Sequence, residues 1–297
     1  MLEMSSSAPT ASCPAKPGRP CDLGETTLFP DRSGLVGSVN LMRCSDCGIG
    51  ITNPPLADVA FLYEGRASQD FQPLSSGLAR AIKNIAFRRD ARRLLKQVGQ
   101  QPRRVLDFGC GSGLFTRCLG DLLGQGQVVG SDFHLDPPNE LKDRAYIPND
   151  KLASEQAGFD LILAMHVLEH DDDPAKLLQR LKDLGAGGGN FVFEVPNIDC
   201  VWAPIFGQAW DAWYLPFHRI HFSRTSLRGT LERNGFVVVQ QIDVTIPSMG
   251  RSIANLLGLR NTLPLLLLGA ILHPIQWIAE SLSGRPSALR VIARAES

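Results

Sequence analysis

The nine residues VLDFGCGSG, at positions 105–113, constrain the fold of this chain more than any other segment. A short apolar run ends in the carboxylate of Asp107, and glycines at 109, 111 and 113 follow just before a helical pattern. Alternating glycines let the chain turn sharply and bring backbone N–H groups close to a ligand, at a conformational cost that indicates a purpose. The segment therefore predicts a strand, a ligand-binding loop and a helix of an α/β fold.

The spacing of these glycines argues against two common ligands. Counted from Gly109, the sixth position of a dinucleotide fingerprint is Leu114, and no Gly-Lys-Ser/Thr sequence forms a P-loop here. Asp107 would repel a pyrophosphate in a partly desolvated cleft, so the loop favours a cation. S-adenosylmethionine fits because it carries an ammonium and a sulfonium and no phosphate. Asp132, 25 residues further on, is positioned to bind ribose hydroxyls, with Phe133 against the adenine.

Short apolar runs alternate with helical segments beyond residue 104, which is typical of a parallel sheet with crossover helices. Right-handed crossovers would join the strands into a doubly wound sheet. Helices are predicted over 78–98, 113–123, 174–184 and 224–234. Strands are predicted over 104–108, 127–132, 144–147, 159–165, 190–195, 236–243 and 288–295.

At these motifs the chain resembles the class I S-adenosylmethionine-dependent methyltransferases. The stretches that carry the resemblance are VLDFGCGSG, Asp132, FDLILAMHVLEHDDDP, FVFEVPN and HRIHFSRTSLRGTLERNGF. The last of these is similar to a segment of a subgroup that includes ubiquinone-pathway-like enzymes. The resemblance implies an α/β, doubly wound, seven-stranded Rossmann-like sheet of order 3-2-1-4-5-7-6, whose last strand is antiparallel, with a small N-terminal Cys-rich segment.

The resemblance also implies which residues hold the donor. Asn149 and Asp150 are our candidates for the adenine contact after the third strand. The predicted cofactor-binding residues are Asp107, Gly109, Gly111, Gly113, Asp132, Phe133, Met165 and His166.

Methyl transfer is a displacement at a sulfonium carbon, so the enzyme mainly has to align the nucleophile, the methyl group and the leaving sulfur. A hydroxyl acceptor also benefits from a general base, for which histidine is the usual residue. We name His170 and His218 as catalytic candidates and Glu194 as a further one, with a purely structural role as the alternative for each. The aromatic residues within 202–217 predict either a wall for an apolar or lipid-linked acceptor or ordinary core.

Seven cysteines, an odd number, favour reduced thiols or metal ligands over a disulfide framework. The sequence Cys44-Ser-Asp-Cys47 resembles the second half of a small zinc ribbon that precedes many of these methyltransferases. Two thiolates at this spacing suit one tetrahedral zinc, with Cys21 as a third ligand. Gly24 stands where the other pair would have its second cysteine. Cys13, eight positions upstream of Cys21 in the leader, is a candidate to replace it, and the alternative is a degenerate ribbon without metal.

The domain organisation follows from these features. We expect a disordered leader (1–20), a zinc-ribbon-like segment (21–55), an S-adenosylmethionine-binding methyltransferase domain (70–245), an apolar insertion (246–287) and a final strand of that domain (288–297). The run LPLLLLGAIL in the insertion is about half of the ~20 residues that span a bilayer. The insertion is therefore either an interfacial hairpin with Trp277 at headgroup level, or a wall of an apolar substrate pocket, or a buried helix pair.

The leader has no apolar run behind a basic start, so we expect a cytoplasmic protein, with peripheral membrane contact through the insertion as an option. The chain has 30 basic and 30 acidic residues and a formal net charge of +0. A dedicated nucleic-acid binder needs a surplus of Lys and Arg, so no nucleic-acid partner is expected. The sequence favours a methyltransferase acting on a small-molecule or lipid-linked acceptor, in the first instance at oxygen. A non-catalytic cofactor-fold scaffold is the alternative, and a nicotinamide-dependent reductase is disfavoured by the glycine spacing.

Overall fold

The computed structural model of this chain describes residues 13–16, 18–30, 38–54, 56, 62, 77–152, 157–259 and 263–296. Its strands are β1 (Leu23–Pro30), β2 (Ser38–Cys44), β3 (Gly50–Asn53), β4 (Val105–Phe108), β5 (Val128–Ser131), β6 (Phe159–Met165), β7 (Gly185–Pro196), β8 (Ile220–His221), β9 (Phe236–Val244) and β10 (Ala288–Ala295). Its α-helices are α1 (Gly77–Val98), α2 (Leu114–Leu123), α3 (Pro174–Leu184), α4 (Trp202–Phe206), α5 (Arg224–Arg233), α6 (Met249–Leu256) and α7 (Leu263–Ser283).

Six strands form the central sheet of the described residues, in the order β5-β4-β6-β7-β10-β9. β5, β4, β6 and β7 are parallel, whereas β10 pairs antiparallel with both β7 and β9. The stretch 144–147, the third of the seven predicted strands in chain order, contributes only one parallel bridge, between Tyr146 and Gly130. Pro148 follows almost at once and has no N–H to donate, so the pairing does not continue. The α/β methyltransferase-like fold is confirmed, with six strands in the central sheet of the residues that the structure describes.

Local sequence signals explain where the helices around this sheet begin. Asp173 caps α3 by accepting a hydrogen bond from the backbone N–H of Lys176 at 3.1 Å, and Pro174 follows at the first helical position, which needs no N–H. Ser223 and Ser226 form a capping box at the start of α5. All four residues of β4 are buried because the strand is covered on both faces. This burial fixes the strand end from which the glycine loop leaves.

The N-terminal Cys-rich segment forms a second, four-stranded sheet in the order β1-β2-β3-β8. Its last pairing joins Ile51 to Ile220, which comes from the stretch between the central strands β7 and β9. The fully buried Arg219 donates to the carbonyl oxygen of Thr52 at 3.0 Å. Cys13, which was expected in the disordered leader, is fully buried beside Cys44. Residues 57–61 and 63–76 lie outside the described residues, as do 1–12 of the predicted leader.

The predicted apolar insertion contains α6 and α7, which pack against each other. At their contact a Cβ on Gly250 would lie 2.3 Å from the carbonyl oxygen of Leu265, so the helices approach closely only because this residue is glycine. The buried Glu280 of α7 accepts a hydrogen bond from the backbone N–H of Ser287 at 2.9 Å, just before β10. Among the described residues no helix has the length and apolar character to cross a bilayer.

Candidate functional site

Asp107 lies at the carboxyl end of β4, buried below the glycine loop. Thr116 of α2 donates a hydrogen bond to its Oδ2 at 2.6 Å. Burial raises the pKa of Asp107 to about 7, the charge of Asp132 adds to that rise, and the hydrogen bond from Thr116 opposes it. An acid in this state gains from the approach of a cation, because the cation favours the ionised form.

The three glycines after β4 all have positive φ, at 73° for Gly109, 54° for Gly111 and 77° for Gly113. Two of them are also packed closely: a Cβ on Gly109 would lie 2.4 Å from Val167, and one on Gly113 would lie 2.5 Å from Leu141. A Cβ on Gly111 would meet no heavy atom within 4 Å. Gly109 and Gly113 therefore shape the loop, whereas the Cα of Gly111 faces open space.

Asp132, directly after β5, is connected to this loop. Its Oδ2 accepts a hydrogen bond from the backbone N–H of Gly111 at 2.8 Å, and its Oδ1 accepts one from the N–H of Phe133 at 2.9 Å. The two predicted acids, Asp107 and Asp132, thus flank one glycine loop at neighbouring strand ends. The ring of Phe133 is 47% exposed and lies 4.0 Å, centroid to centroid, from that of His134. An exposed aromatic face beside a ribose-binding acid suits a nucleoside base.

The two candidates for the adenine contact lie in different environments. Asn149 donates its backbone N–H to the carbonyl oxygen of Asp132 at 2.7 Å, and its Oδ1 accepts a hydrogen bond from Ser131 at 2.6 Å. Asp150 is exposed. Asn149 is therefore fixed at the end of β5, next to the predicted ribose acid, while the structure gives Asp150 no comparable link to the loop.

Met165 and His166 lie at the carboxyl end of β6, and both are partly buried. His166 has a φ of 57°, and its ring lies between two carboxylates, with Nε2 3.1 Å from Glu194 Oε1 and Nδ1 3.3 Å from Glu169 Oε1. Burial lowers the pKa of His166, but the two neighbouring carboxylates, Glu169 and Glu194, outweigh that effect and raise it to about 10. His166 is therefore cationic at neutral pH.

A buried chain of charges extends from His166 through the sheet. Glu194 of β7 accepts a hydrogen bond from Arg290 of β10 at 2.6 Å, and Arg290 also donates to Asp90 of α1 at 2.8 Å. Burial alone would raise the pKa of Glu194, but Arg290 and then His166 hold it down at about 2. Sequence reasoning missed Arg290. Its signal was a charged residue within an apolar strand, and its partners were not readable from the sequence.

The two candidate bases come together on the same side of the site. His170 ends a short 3₁₀ turn, Leu168–His170, after β6, and its ring centroid lies 4.7 Å from that of His218. His218 Nδ1 lies 3.0 Å from the carbonyl oxygen of Ala212. Burial, reinforced by the charges of neighbouring histidines, lowers the pKa of His218 well below its ordinary value. His218 is therefore neutral, and the adjacent buried Glu169 was not identified from the sequence.

The aromatic residues expected to form an acceptor wall divide into two groups. Trp210 is buried and packs edge to face against Trp213, with ring centroids 4.9 Å apart. Trp202 donates from its indole N–H to Glu280 at 3.0 Å. Tyr214 instead is exposed, with its ring centroid 5.3 Å from that of His218. The core interpretation holds for Trp210, and Tyr214 faces the histidines.

Four thiols form a compact cluster at the N-terminal sheet. Cys13 Sγ lies 4.0 Å from Cys44 Sγ, and Cys21 Sγ lies 3.9 Å from Cys47 Sγ. All four sulfur atoms lie within 4.8 Å of one another. Tetrahedral zinc with Zn–S bonds of about 2.3 Å requires sulfur atoms roughly 3.8 Å apart, so the cluster fits zinc. Cys13 supplies the fourth thiol that the position of Gly24 lacks.

The sequence matches a protein-family model and curated relatives over part of its length. Residues 80–241, more than half of the chain, match a family model described as a methyltransferase domain. A tRNA U34 carboxymethyltransferase of Pseudomonas putida is 30% identical over 180 residues, which is 53% of this chain and 52% of that protein. The protein of the same name from Azotobacter vinelandii is 32% identical over 170 residues, 50% of this chain and 49% of that protein. The chain thus spans about half the length of the curated relatives it matches.

Solved structures share the fold. The 1,6-didemethyltoxoflavin-N1-methyltransferase of Burkholderia thailandensis, solved with S-adenosylhomocysteine, aligns with a TM-score of 0.52 and 17% identity. That alignment covers 92% of this chain and 100% of the other. The magnesium protoporphyrin IX methyltransferase of Synechocystis aligns with a TM-score of 0.50 and 13% identity, over 81% of this chain and 100% of the other. At these identities the likeness concerns the fold.

Proposed function

The chain belongs to the class I S-adenosylmethionine-dependent methyltransferases, and on that premise we propose that it methylates a hydroxyl oxygen of a small-molecule or lipid-linked acceptor. The observation that carries the proposal is the pair of buried acids on either side of the glycine loop, with Gly111 N–H bonded to Asp132 at 2.8 Å. Burial raises the pKa of Asp107 to about 7, which is a cost to the folded protein. A scaffold that binds no ligand would gain nothing in return for that cost. This arrangement supports donor binding and disfavours the non-catalytic alternative.

The proposed donor contacts follow from the loop geometry. Asp107 and the backbone at Gly111 would bind the methionine end, Asp132 the ribose, and Phe133 the adenine. Asn149, held against the carbonyl of Asp132, supports the adenine end, and Met165 lies at the neighbouring strand end. In this arrangement the cationic donor lies beside two carboxylates, so electrostatic attraction and backbone hydrogen bonds act together.

The acceptor would lie beyond Met165, on the side where the histidines and Tyr214 meet. The structure brings His170 and His218 together there, with the exposed ring of Tyr214 beside them. Alignment of a hydroxyl with the sulfonium methyl group would supply most of the rate enhancement. The buried, neutral His218 and the partly buried His170 are the polar groups that would orient that hydroxyl.

A lipid-linked acceptor is supported by the outer surface of the helix pair α6 and α7. Large apolar side chains lie exposed there, and Trp277 is among them with 58% of its surface accessible. A peripheral contact with a membrane from the cytoplasmic side would cover such a surface. The exposed apolar residues are Leu256, Leu257, Leu259, Leu267, Leu268, Ile271, Ile275, Trp277, Ile278 and Leu282.

An RNA acceptor is the competing possibility, because curated relatives of this chain include tRNA U34 carboxymethyltransferases. The balanced charge of this chain argues against it, since phosphate binding draws on a surplus of basic side chains. The decisive experiment offers isotopically labelled S-adenosylmethionine together with, in parallel, a polar metabolite extract, a lipid extract and bulk tRNA. We expect label in the polar or lipid fraction, as an alkali-stable ether. Label that appears only in tRNA and is released by ribonuclease would reject the proposal.

A further inference from the structure

We propose that Glu169, His170 and His218 form a binding site for one divalent transition-metal cation. One ligand atom from each of these residues lies within 4.8 Å of the other two. The site is separate from the thiol cluster, and it lies at the carboxyl end of β6, beside His166. It goes beyond the proposed methyl transfer, because a cation can bind here whatever the acceptor is.

The first argument is the carboxylate of Glu169. The residue is only 1% exposed, and among the described residues neither of its oxygens accepts a hydrogen bond of acceptable geometry. Its Oε1 has two imidazole nitrogens nearby, His166 Nδ1 at 3.3 Å and His218 Nε2 at 3.9 Å. A buried carboxylate without hydrogen bonds is costly. The charge of His166 compensates part of this cost, and coordination of a metal would compensate the rest.

The second argument is the tautomer of His218. Its Nδ1 lies 3.0 Å from the carbonyl oxygen of Ala212, which can only accept, so Nδ1 carries the proton. Nε2 is then the nitrogen that faces Glu169, 3.9 Å from its Oε1, and it is the atom available to a metal. A ligand histidine whose other nitrogen donates to a carbonyl is the usual arrangement at metal sites.

The third argument is the position of His170. It shares the short turn Leu168–His170 with Glu169, and that turn is held by the backbone N–H of Arg219, which donates to the carbonyl oxygen of Glu169 at 2.7 Å. His170 is only partly buried, so a cation can enter past it. Glu169 and His170 come from this turn, and His218 comes from the segment before β8. Because His170 is only partly buried, the site opens to solvent on that side.

One carboxylate and two imidazoles are a donor set for zinc, manganese, iron or cobalt in the divalent state. Three protein ligands leave coordination positions for water or for oxygen atoms of an acceptor. The use of these positions in catalysis rests on the proposed O-methylation. A coordinated hydroxyl would lose its proton to water, the oxygen would bond to the methyl carbon, and the bond from that carbon to sulfur would break, leaving S-adenosylhomocysteine.

The test uses Mn²⁺, because this ion prefers oxygen and nitrogen ligands and competes poorly for thiolates. The full-length protein is titrated with Mn²⁺ in the absence of donor and acceptor, and free Mn²⁺ is followed by electron paramagnetic resonance. We expect binding at about one equivalent and, in protein whose thiol cluster already holds zinc, displacement of Mn²⁺ by one further equivalent of Zn²⁺. Glu169→Gln and His170→Asn should each weaken Mn²⁺ binding by more than about tenfold.

Glu232→Gln, which changes an exposed glutamate of α5 in the same way, should leave the affinity for Mn²⁺ unchanged. Thermal unfolding of each variant shows whether it is folded, and His170, which is only partly buried, is the variant expected to fold normally. Absence of Mn²⁺ binding to the wild-type protein, or equal binding by a folded His170→Asn variant, would overturn the proposal. Calorimetric titration of the same samples with S-adenosylmethionine keeps the two proposals separate. If the wild-type protein binds Mn²⁺ but not S-adenosylmethionine, the result counts only against the proposed function.

Discussion

Arg290 Nε lies 2.6 Å from Glu194 Oε2, and both side chains are almost completely buried. The pair joins the antiparallel strand β10 to β7 at the register where Arg290 is directly opposite Glu194. The same guanidinium reaches Asp90 of α1, and the same carboxylate reaches His166. One arginine therefore fixes a helix, two strands and the residue that follows β6.

Replacing Arg290 by Met should destabilise the protein by about 3 to 5 kcal/mol, because it leaves Glu194 as a buried charge without its strongest partner. The measurement is the free energy of unfolding from urea titration. Arg294→Met is the matched control on the same strand, since Arg294 is exposed and makes one long side-chain hydrogen bond to Asn190. Similar losses for the two variants would show that the Arg290 network does not carry this stability.

Asp132→Ala should weaken the binding of S-adenosylmethionine by about 1.5 to 3 kcal/mol, roughly 10- to 150-fold, because a charged acceptor of hydrogen bonds is removed. Isothermal titration calorimetry measures the dissociation constant directly. Asp136→Ala removes an exposed carboxylate four residues further along the chain and should leave it unchanged. An Asp132→Ala variant that is folded and binds the donor with wild-type affinity would contradict the proposed ribose contact.

Donor binding should depend on pH through Asp107, whose pKa burial raises to about 7. A cationic donor favours the ionised carboxylate, so binding should release a proton below pH 7, and the affinity should rise with pH and level off above it. Folding responds in the opposite direction. In the native state Asp107 keeps its proton up to about pH 7, whereas in the unfolded chain it loses the proton near pH 4. The contribution of Asp107 to stability therefore falls as pH rises between those values.

Calorimetric titrations from pH 5.5 to 8.5 in buffers of different ionisation enthalpy measure the proton release. Asp107→Asn binds the donor more weakly, and it should also lose the pH dependence below 7. A variant that keeps the wild-type slope would assign the proton to another group. Asparagine has nearly the same shape as aspartate, so the comparison of Asp107→Asn with wild type isolates the effect of the charge.

Two glycines of the loop should respond differently to the same substitution. Gly113→Ala places a Cβ 2.5 Å from Leu141 at a φ of 77°, so the free energy of unfolding should fall by several kcal/mol. Gly111→Ala meets no atom and should cost about 1 to 2 kcal/mol of backbone strain. Its larger effect should be on donor binding, because the methyl group occupies the space that the ligand approaches. Urea unfolding and calorimetry on both variants would separate the two effects.

Cys44→Ser should lower the zinc content of the purified protein by about one equivalent relative to wild type, because it removes one ligand of a four-thiolate site. The variant should also unfold at a lower temperature, since the site joins Cys13 and Cys21 to the hairpin that carries Cys44 and Cys47. Cys118→Ser, a buried thiol outside the cluster, is the control for metal content. Less than about one-tenth of an equivalent of zinc in the wild-type protein would rule out zinc at this cluster.

Local periodicity determined much of the fold. The helix predicted over 174–184 is α3, and the strand predicted over 288–295 is β10, because apolar spacing and a capping Asp173 are properties of neighbouring residues. The glycine loop and its acid were readable for the same reason. The stretch 144–147 did not form a full strand, since an edge strand depends on what pairs with it rather than on its own apolar character.

The sequence by itself determined the strand–loop–helix unit at 105–123 and the residue types of the donor site, because these depend on contacts between near neighbours. Only the tertiary structure decided that Arg290 lies opposite Glu194, that Cys13 completes the thiol cluster, and that His218 faces Glu169. These pairs are separated by tens of residues or more along the chain. Strand order and the packing of the N-terminal sheet on β8 bring them together, and no local pattern encodes that geometry.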